Sequence, residues 1–292
     1  MLDYLERALE RMHVSEERVE FLRDFWSRRT EFWAWQGQCF GDRFRPDALP
    51  VFLHGGDPTG RILIMGLNPG YQGKLDVLIE EDVQQDAERY VALHERFFDE
   101  YLVYQRKAGG GSPFWNNLHS KLTGMLPDEA IPSDKWLAYR SHCVAQDILP
   151  FRSSRSTTSA QELGPQTTLG RVAAASLRGL RKSDARAAWL FSREGFAALD
   201  VASRNNPSVM SREHFSVTGC TRTGKHRRVH ALVVQLAREG NRPPLPMLAV
   251  DNALVTQPTF PFREVYCARS DCAPRLSMAD QLRARISAVS RP

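Results

Sequence analysis

The sequence predicts an α/β domain built on a parallel sheet, and three stretches predict it. In Arg61 to Gly70, RILIMGLNPG, four apolar residues from Ile62 to Met65 run straight into a glycine- and proline-rich turn. Cys143 to Leu149, CVAQDIL, is a second largely apolar run, closed by Pro150. Ala187 to Phe191 is a third, followed by a helical pattern from Ser192 to Leu199 in which Gly195 allows close packing. Short apolar runs bounded by turn residues suit strands buried on both faces, and alternation with helices is the pattern of a parallel sheet. Such sheets offer their sites at the carboxyl ends of the strands. That rule singles out Asn68, the one side chain with polar chemistry in the first turn, and Asp147 near the end of the second strand. An ordinary turn after a core strand is the competing reading of Asn68.

Composition narrows the class. A chain of 292 residues, 42% hydrophobic and 25% charged, has ample material for a core. No apolar run is long enough to span a bilayer, and the acidic start MLDYLERALERM lacks the apolar region of a signal peptide, so a cytoplasmic protein without a membrane partner is expected. The five cysteines, Cys39, Cys143, Cys220, Cys267 and Cys272, are scattered, which argues against a disulfide framework, a zinc knuckle or an iron-sulfur cluster. No metal and no cofactor is expected. The net charge of +5 is concentrated: Arg222, Lys225, Arg227 and Arg228 form one basic loop, Arg152 and Arg155 a second, Arg178, Arg181 and Lys182 a third. Solvated surface is the bland reading of each; together, with 10% aromatic residues, they suit a phosphate backbone.

In chain order, Leu2 to about Trp35 has helical periodicity. Its aromatic residues Phe25, Trp26, Phe32, Trp33 and Trp35 read as core or as a stacking platform. Phe44 to Thr59 reads as a loop with one short edge strand. Gly73 to Lys107 suggests two helices, a possible lid, ending at the hinge Gly109-Gly110-Gly111. Ser112 then caps and Pro113 opens a new helix. The triple glycine lacks the Gly-Lys-Ser/Thr of a nucleotide-binding loop, which excludes that class of NTPase. Phe215 to Val234 carries the densest basic loop and then a predicted helix from about Val229 to Arg238. A last strand is expected within Met247 to Val255, and Met278 to Val289 reads as a closing amphipathic helix. No linker divides the chain. A single domain is expected over 1–292, with an extension at 1–60, a core at 61–263 and a carboxyl-terminal helix in 264–292.

Four pieces in order, GLNPG after a strand, SPFWNNL before a helix, DILPF at a second strand end and QPTFPF after the last strand, resemble the uracil-DNA glycosylase superfamily. The likeness covers about Arg61 to Arg263. It implies a three-layer sandwich around a central four-stranded parallel sheet, with the site at the carboxyl edge. It assigns water positioning to Asn68, base stacking to Phe114, base reading to Asp147, and contacts to the leaving base or a phosphate to Gln257 and Thr259. The turn residues Gly66, Leu67, Pro69, Gly70 and Tyr71 fall against the substrate, and Phe260 and Phe262 are candidate wedges in the stack. Arg152, Arg222, Lys225, Arg227 and Arg228 are the candidate DNA contacts. Asp147 stands where base-recognising members have Asn, and Gln257 where many have His. His142, His226 and His230 lack metal-ligand spacing and read as packing or phosphate contacts.

Chemistry sharpens these roles. A glycosylase extrudes its nucleotide and admits water to the sugar carbon. Asn68 has no useful basicity, so it positions that water, while the DNA phosphates help to stabilise the cationic sugar. A carboxylate only accepts unless it is protonated, so a protonated Asp147 matches the cytosine edge, and an ionised one matches cytosine protonated at N3. Proton delivery to N3 would make Asp147 a general acid too. A strand-end Asp that caps a loop or pairs with Arg152 is the alternative. By the resemblance, strict uracil enzymes carry a bulky aromatic at this turn position that blocks C5, and Gly70 in its place implies room for a large group there. Glucosylated hydroxymethylcytosine in phage DNA meets both demands, so a monomeric anti-phage glycosylase that leaves abasic sites in double-stranded DNA is expected. Three other readings stay open: a general uracil or mismatch repair glycosylase, an inactive nucleic-acid-binding protein of the same fold, and an enzyme acting on a free nucleotide or another small substrate.

Overall fold

The computed structural model describes residues 55–56, 62–66, 118–119, 121–122, 125, 130–149, 164, 166–183, 185–220, 226–251 and 277–289. Within them the chain forms β1 (Gly55–Gly56), β2 (Ile62–Gly66), α1 (Lys135–His142), β3 (Cys143–Asp147), α2 (Thr168–Gly179), β4 (Ala187–Phe191), α3 (Arg193–Ser203), β5 (Val209–Cys220), β6 (His226–Leu236), β7 (Leu245–Val250) and α4 (Met278–Val289). The fold is α/β with a mixed sheet of seven strands in the order β1-β3-β2-β4-β7-β6-β5. The strands β3, β2, β4 and β7 run parallel. β1 is antiparallel to β3 at one end, and the β5–β6 hairpin is antiparallel to β7 at the other. The sheet is therefore wider than four strands and not wholly parallel.

The apolar runs behave as their composition dictates. Ile62, Leu63, Ile64 and Met65 are all buried, as are Ala188 to Phe191 and every residue of β7. Successive side chains of a strand point to opposite faces, so full burial requires cover on both. One face carries Ile62, Ile64, Trp189, Phe191, Val229, Ala231, Val233, Leu248 and Val250, which join Leu118, Leu122 and Met125 and the α4 residues Met278, Ala279 and Leu282 in one core. On the other face, α3 packs against β4, β6 and β7, and α2 packs against α3.

Local chemistry starts the helices. Ser192 accepts from the Gly195 amide at 2.7 Å, and Thr167 accepts from the Gly170 amide at 2.9 Å, each satisfying an amide that the first turn leaves open. Gly195 is a glycine for lack of space: an ideal Cβ there would collide with the Leu190 side chain and lie 2.6 Å from Ser192 Oγ. Ser277 opens α4 by accepting from the Asp280 amide at 3.1 Å while its hydroxyl donates to Asp280 Oδ2 at 2.6 Å. Gln281 of α4 then reaches the β5 backbone, donating to Thr218 O at 2.9 Å. That contact satisfies a carbonyl on β5, which among the described residues has no further strand beside it.

Several expectations change. The predicted helix from Val229 to Arg238 is instead strand β6, His226–Leu236. Val229, Leu232, Val233 and Leu236 fit helical spacing, but the β-branched run and pairing on both sides, to β5 and β7, decide for a strand. β5 was not foreseen as a strand at all. The second parallel strand ends at Asp147 rather than Leu149, with Ile148 and Leu149 in a bend. Arg178, Arg181 and Lys182 lie in the last turn of α2 and the 3-10 turn after it, not in a loop. The short edge strand expected before Thr59 is β1, the strand Ala187–Phe191 keeps its bounds, and the closing helix matches Met278–Val289. The expected helices in 2–35 and 73–107 lie outside the described residues.

Candidate functional site

Register places the site. Gly66 is level with Asp147, Met65 with Leu190, Phe191 with Val250, Val250 with Ala231, and Ala231 with Phe215. One row thus crosses the sheet at the carboxyl ends of the parallel strands, from Asp147 through Gly66, Phe191, Val250 and Ala231 to Phe215. Asp147 is buried, at 5% exposure. Its carboxylate occupies the space over Gly66: an ideal Cβ on Gly66 would collide with Asp147 Oδ1 and lie 3.5 Å from Cγ. Among the described residues the only glycine at positive φ is Gly240. Gly66 is therefore required by the neighbouring acid and not by a left-handed backbone.

The chain just beyond is held in place. Ile148 N donates to Gly66 O at 3.1 Å, extending the β2–β3 pairing past Asp147. Ser176 of α2 donates to Ile148 O at 2.6 Å, so α2 anchors the bend that ends β3. The result is a buried carboxylate at a strand end, on the edge where open α/β sheets place their ligands. Cys143, at the start of β3, is no nucleophile: burial pushes its thiol up to about 12.

The basic hairpin overhangs the same edge. Ala231 is level with Val250, the last residue of β7, so His226 to His230 project past β7 and, among the described residues, have β5 as their strand partner. Asp251 braces the departure: its amide donates to His230 O at 3.0 Å, and its Oδ1 accepts from the His230 amide at 2.9 Å. Arg227 and Arg228, expected in a loop, are exposed residues of β6. Strand alternation turns them to opposite faces, Arg227 to that of Val229 and the core, Arg228 to that of His226 and His230.

A second cluster went unnoticed in the sequence. Asp200 of α3 accepts from Arg204 at 2.5 Å, from Arg212 of β5, and lies 2.9 Å from His214 Nε2. Burial pushes the Asp200 carboxyl up, but the Arg204 hydrogen bond and the charges of Arg204, Arg212 and His214 outweigh it and hold the group below its ordinary value. The alternation Arg212, His214, Ser216 was the available signal.

Of the sequence-based candidates, the structure brings Gly66 and Asp147 together and sets Arg227 and Arg228 on the hairpin. Leu67, Asn68, Pro69, Gly70, Tyr71, Phe114, Arg152, Arg222, Lys225, Gln257, Thr259, Phe260 and Phe262 lie outside the described residues. His142 closes α1, and His226 and His230 are exposed on β6. Among the described residues no group of three or more His, Cys, Asp or Glu could hold a metal ion, and no helix is long and apolar enough to cross a membrane. Comparison of the chain with protein families, with curated proteins and with solved structures gives no match.

Proposed function

We propose that the chain is a monofunctional DNA glycosylase that excises a C5-modified cytosine, on a fold related to the uracil-DNA glycosylases. The observation that carries this reading is the Asp147 carboxylate, buried over Gly66 at the carboxyl edge of the parallel strands, where Gly66 is the first residue of the GLNPG sequence. A carboxyl group there can meet the N3 and exocyclic amine of cytosine, and proton delivery to N3 improves a poor leaving group. Asn68, two residues after Gly66, would orient the water that attacks the sugar carbon. The bond from that carbon to the base breaks, the base leaves with the bonding electron pair and takes the proton of Asp147, the water oxygen bonds the sugar carbon, and the proton that the water sheds returns to the Asp147 carboxylate.

Discrimination follows from the host's needs. An enzyme excising plain cytosine would destroy its own genome, so the target carries a group the host lacks, and a glycine at position 70 has no side chain to exclude it. Glucosylated hydroxymethylcytosine of phage DNA is the proposed substrate, with a cytoplasmic monomer acting without a cofactor. The test treats DNA from otherwise identical phages with and without the glucose and counts abasic sites after alkali. Cleavage confined to glucosylated DNA is expected. Equal cleavage of both, or action on uracil alone, would return the protein to general base repair. The exposed cations of the hairpin favour a second reading, a nucleic-acid-binding protein without catalysis, and duplex binding with no abasic sites on any substrate would select it.

A further inference from the structure

The β5–β6 hairpin has two faces: one joins the core through Phe215, Val217 and Val229, and the other is buried under α3 at Leu232, Val234 and Leu236 but exposed towards the hairpin tip at His230 and Arg228. On the outer face, Ser216 is level with His230, and Thr218 with Arg228. Arg228 donates to Ser216 Oγ at 3.2 Å, and His230 Nδ1 lies 3.3 Å from the same oxygen. His214 and Arg212 continue the row along β5, where Arg212 reaches back to Asp200. A strand rises about 3.4 Å per residue, so alternate residues present these groups at intervals of about 7 Å along one ribbon.

Charge decides what fits. On this face Asp200 is matched by Arg204 and Arg212 together, so its carboxylate is already over-compensated. Arg228 is exposed, and Ser216 is its hydrogen-bond partner among the described residues. A guanidinium has five donors in a planar fork, so one bond to Ser216 steadies the group and leaves the rest for a doubly bonding anion. Ser216 therefore serves as a rest for the cation rather than as its counter-charge. His230 sets a second donor beside it.

We propose that the outer face of the β5–β6 hairpin, with Arg228 and His230 held around Ser216 and the row continued by His214 and Arg212, is a phosphate-backbone contact surface that guides duplex DNA to the carboxyl edge of the sheet. The inference rests on the nucleic-acid partner of the proposed function but not on its chemistry. It distinguishes Arg228 from its sequence neighbour Arg227, which faces the core side.

The experiment measures binding of the full chain to a short unmodified duplex, which offers no base for excision, by fluorescence anisotropy over a salt series. Arg228→Gln should lower the slope of log affinity against log salt by about 0.9, the value of one phosphate contact, and Arg228→Lys should restore most of it. Thr218→Glu, which adds an acid beside Arg228 and removes no cation, should weaken binding as well. A slope unchanged by Arg228→Gln, with Thr218→Glu binding as wild type does, would overturn the proposal. Abasic-site formation by the wild type tests the glycosylase reading separately, so either can fail while the other stands.

Discussion

Replacing Gly66 with alanine would put a methyl group where the Asp147 carboxylate lies. The ideal Cβ falls inside contact with Oδ1 and 3.5 Å from Cγ, and Asp147 is only 5% exposed, so the acid has little room to yield. Overpacking of this kind costs about 1–3 kcal/mol. In an Asp147→Ala background the obstacle is gone, and the added methyl is worth about 0.8 kcal/mol as buried apolar surface. The two substitutions should therefore be coupled: Gly66→Ala is destabilising in the wild type and neutral to stabilising beside Asp147→Ala. Urea unfolding of the four proteins, compared at a common slope, reads the coupling directly. An equal cost of Gly66→Ala in both backgrounds would refute the argument, because the penalty would then come from something other than the carboxylate over the glycine.

Other consequences follow from named groups. Asn68→Ala should abolish base release while duplex affinity stays near that of the wild type, because its proposed role is to orient water rather than to hold phosphate; excision at the wild-type rate would remove it from the mechanism. The folded-state value of Asp200 is depressed, so its stabilisation is complete above the ordinary carboxylate value of about 3.9 and is lost as pH falls through the lower folded value. Asp200→Asn should accordingly flatten the acid limb of a stability-against-pH curve, and an acid limb as steep as in the wild type would argue against this linkage. Asp251→Ala leaves the His230 amide without its side-chain acceptor, at a cost of about 1 kcal/mol. Hydrogen exchange at the His230 amide should quicken, and unchanged protection would show that the brace does not hold the hairpin.

The sequence by itself determined the parallel centre of the fold. Ile62 to Met65 and Ala187 to Phe191 are apolar at consecutive positions, which only a strand covered on both faces can bury, and Ser192 and the Ser277–Asp280 spacing carry their helix starts in their own side chains. The strand-end position of Asp147 was legible for the same reason. The hairpin was not. The run from Val229 to Leu236 satisfies helical and strand periods at once, and what separates them is hydrogen bonding to partners remote in sequence: Ala231 to Leu236 against β7 and His226 to Leu236 against β5. The need for glycine at Gly66 likewise depends on a carboxylate 81 residues away in the sequence, brought alongside by parallel pairing. The Asp200 cluster joins α3, Arg204 in the turn that follows it, and Arg212 and His214 of β5, and only the folded chain brings the last two to the helix. Local periodicity reports which residues are buried; which strands lie side by side, and which charges meet there, is decided by register, and register belongs to the folded chain.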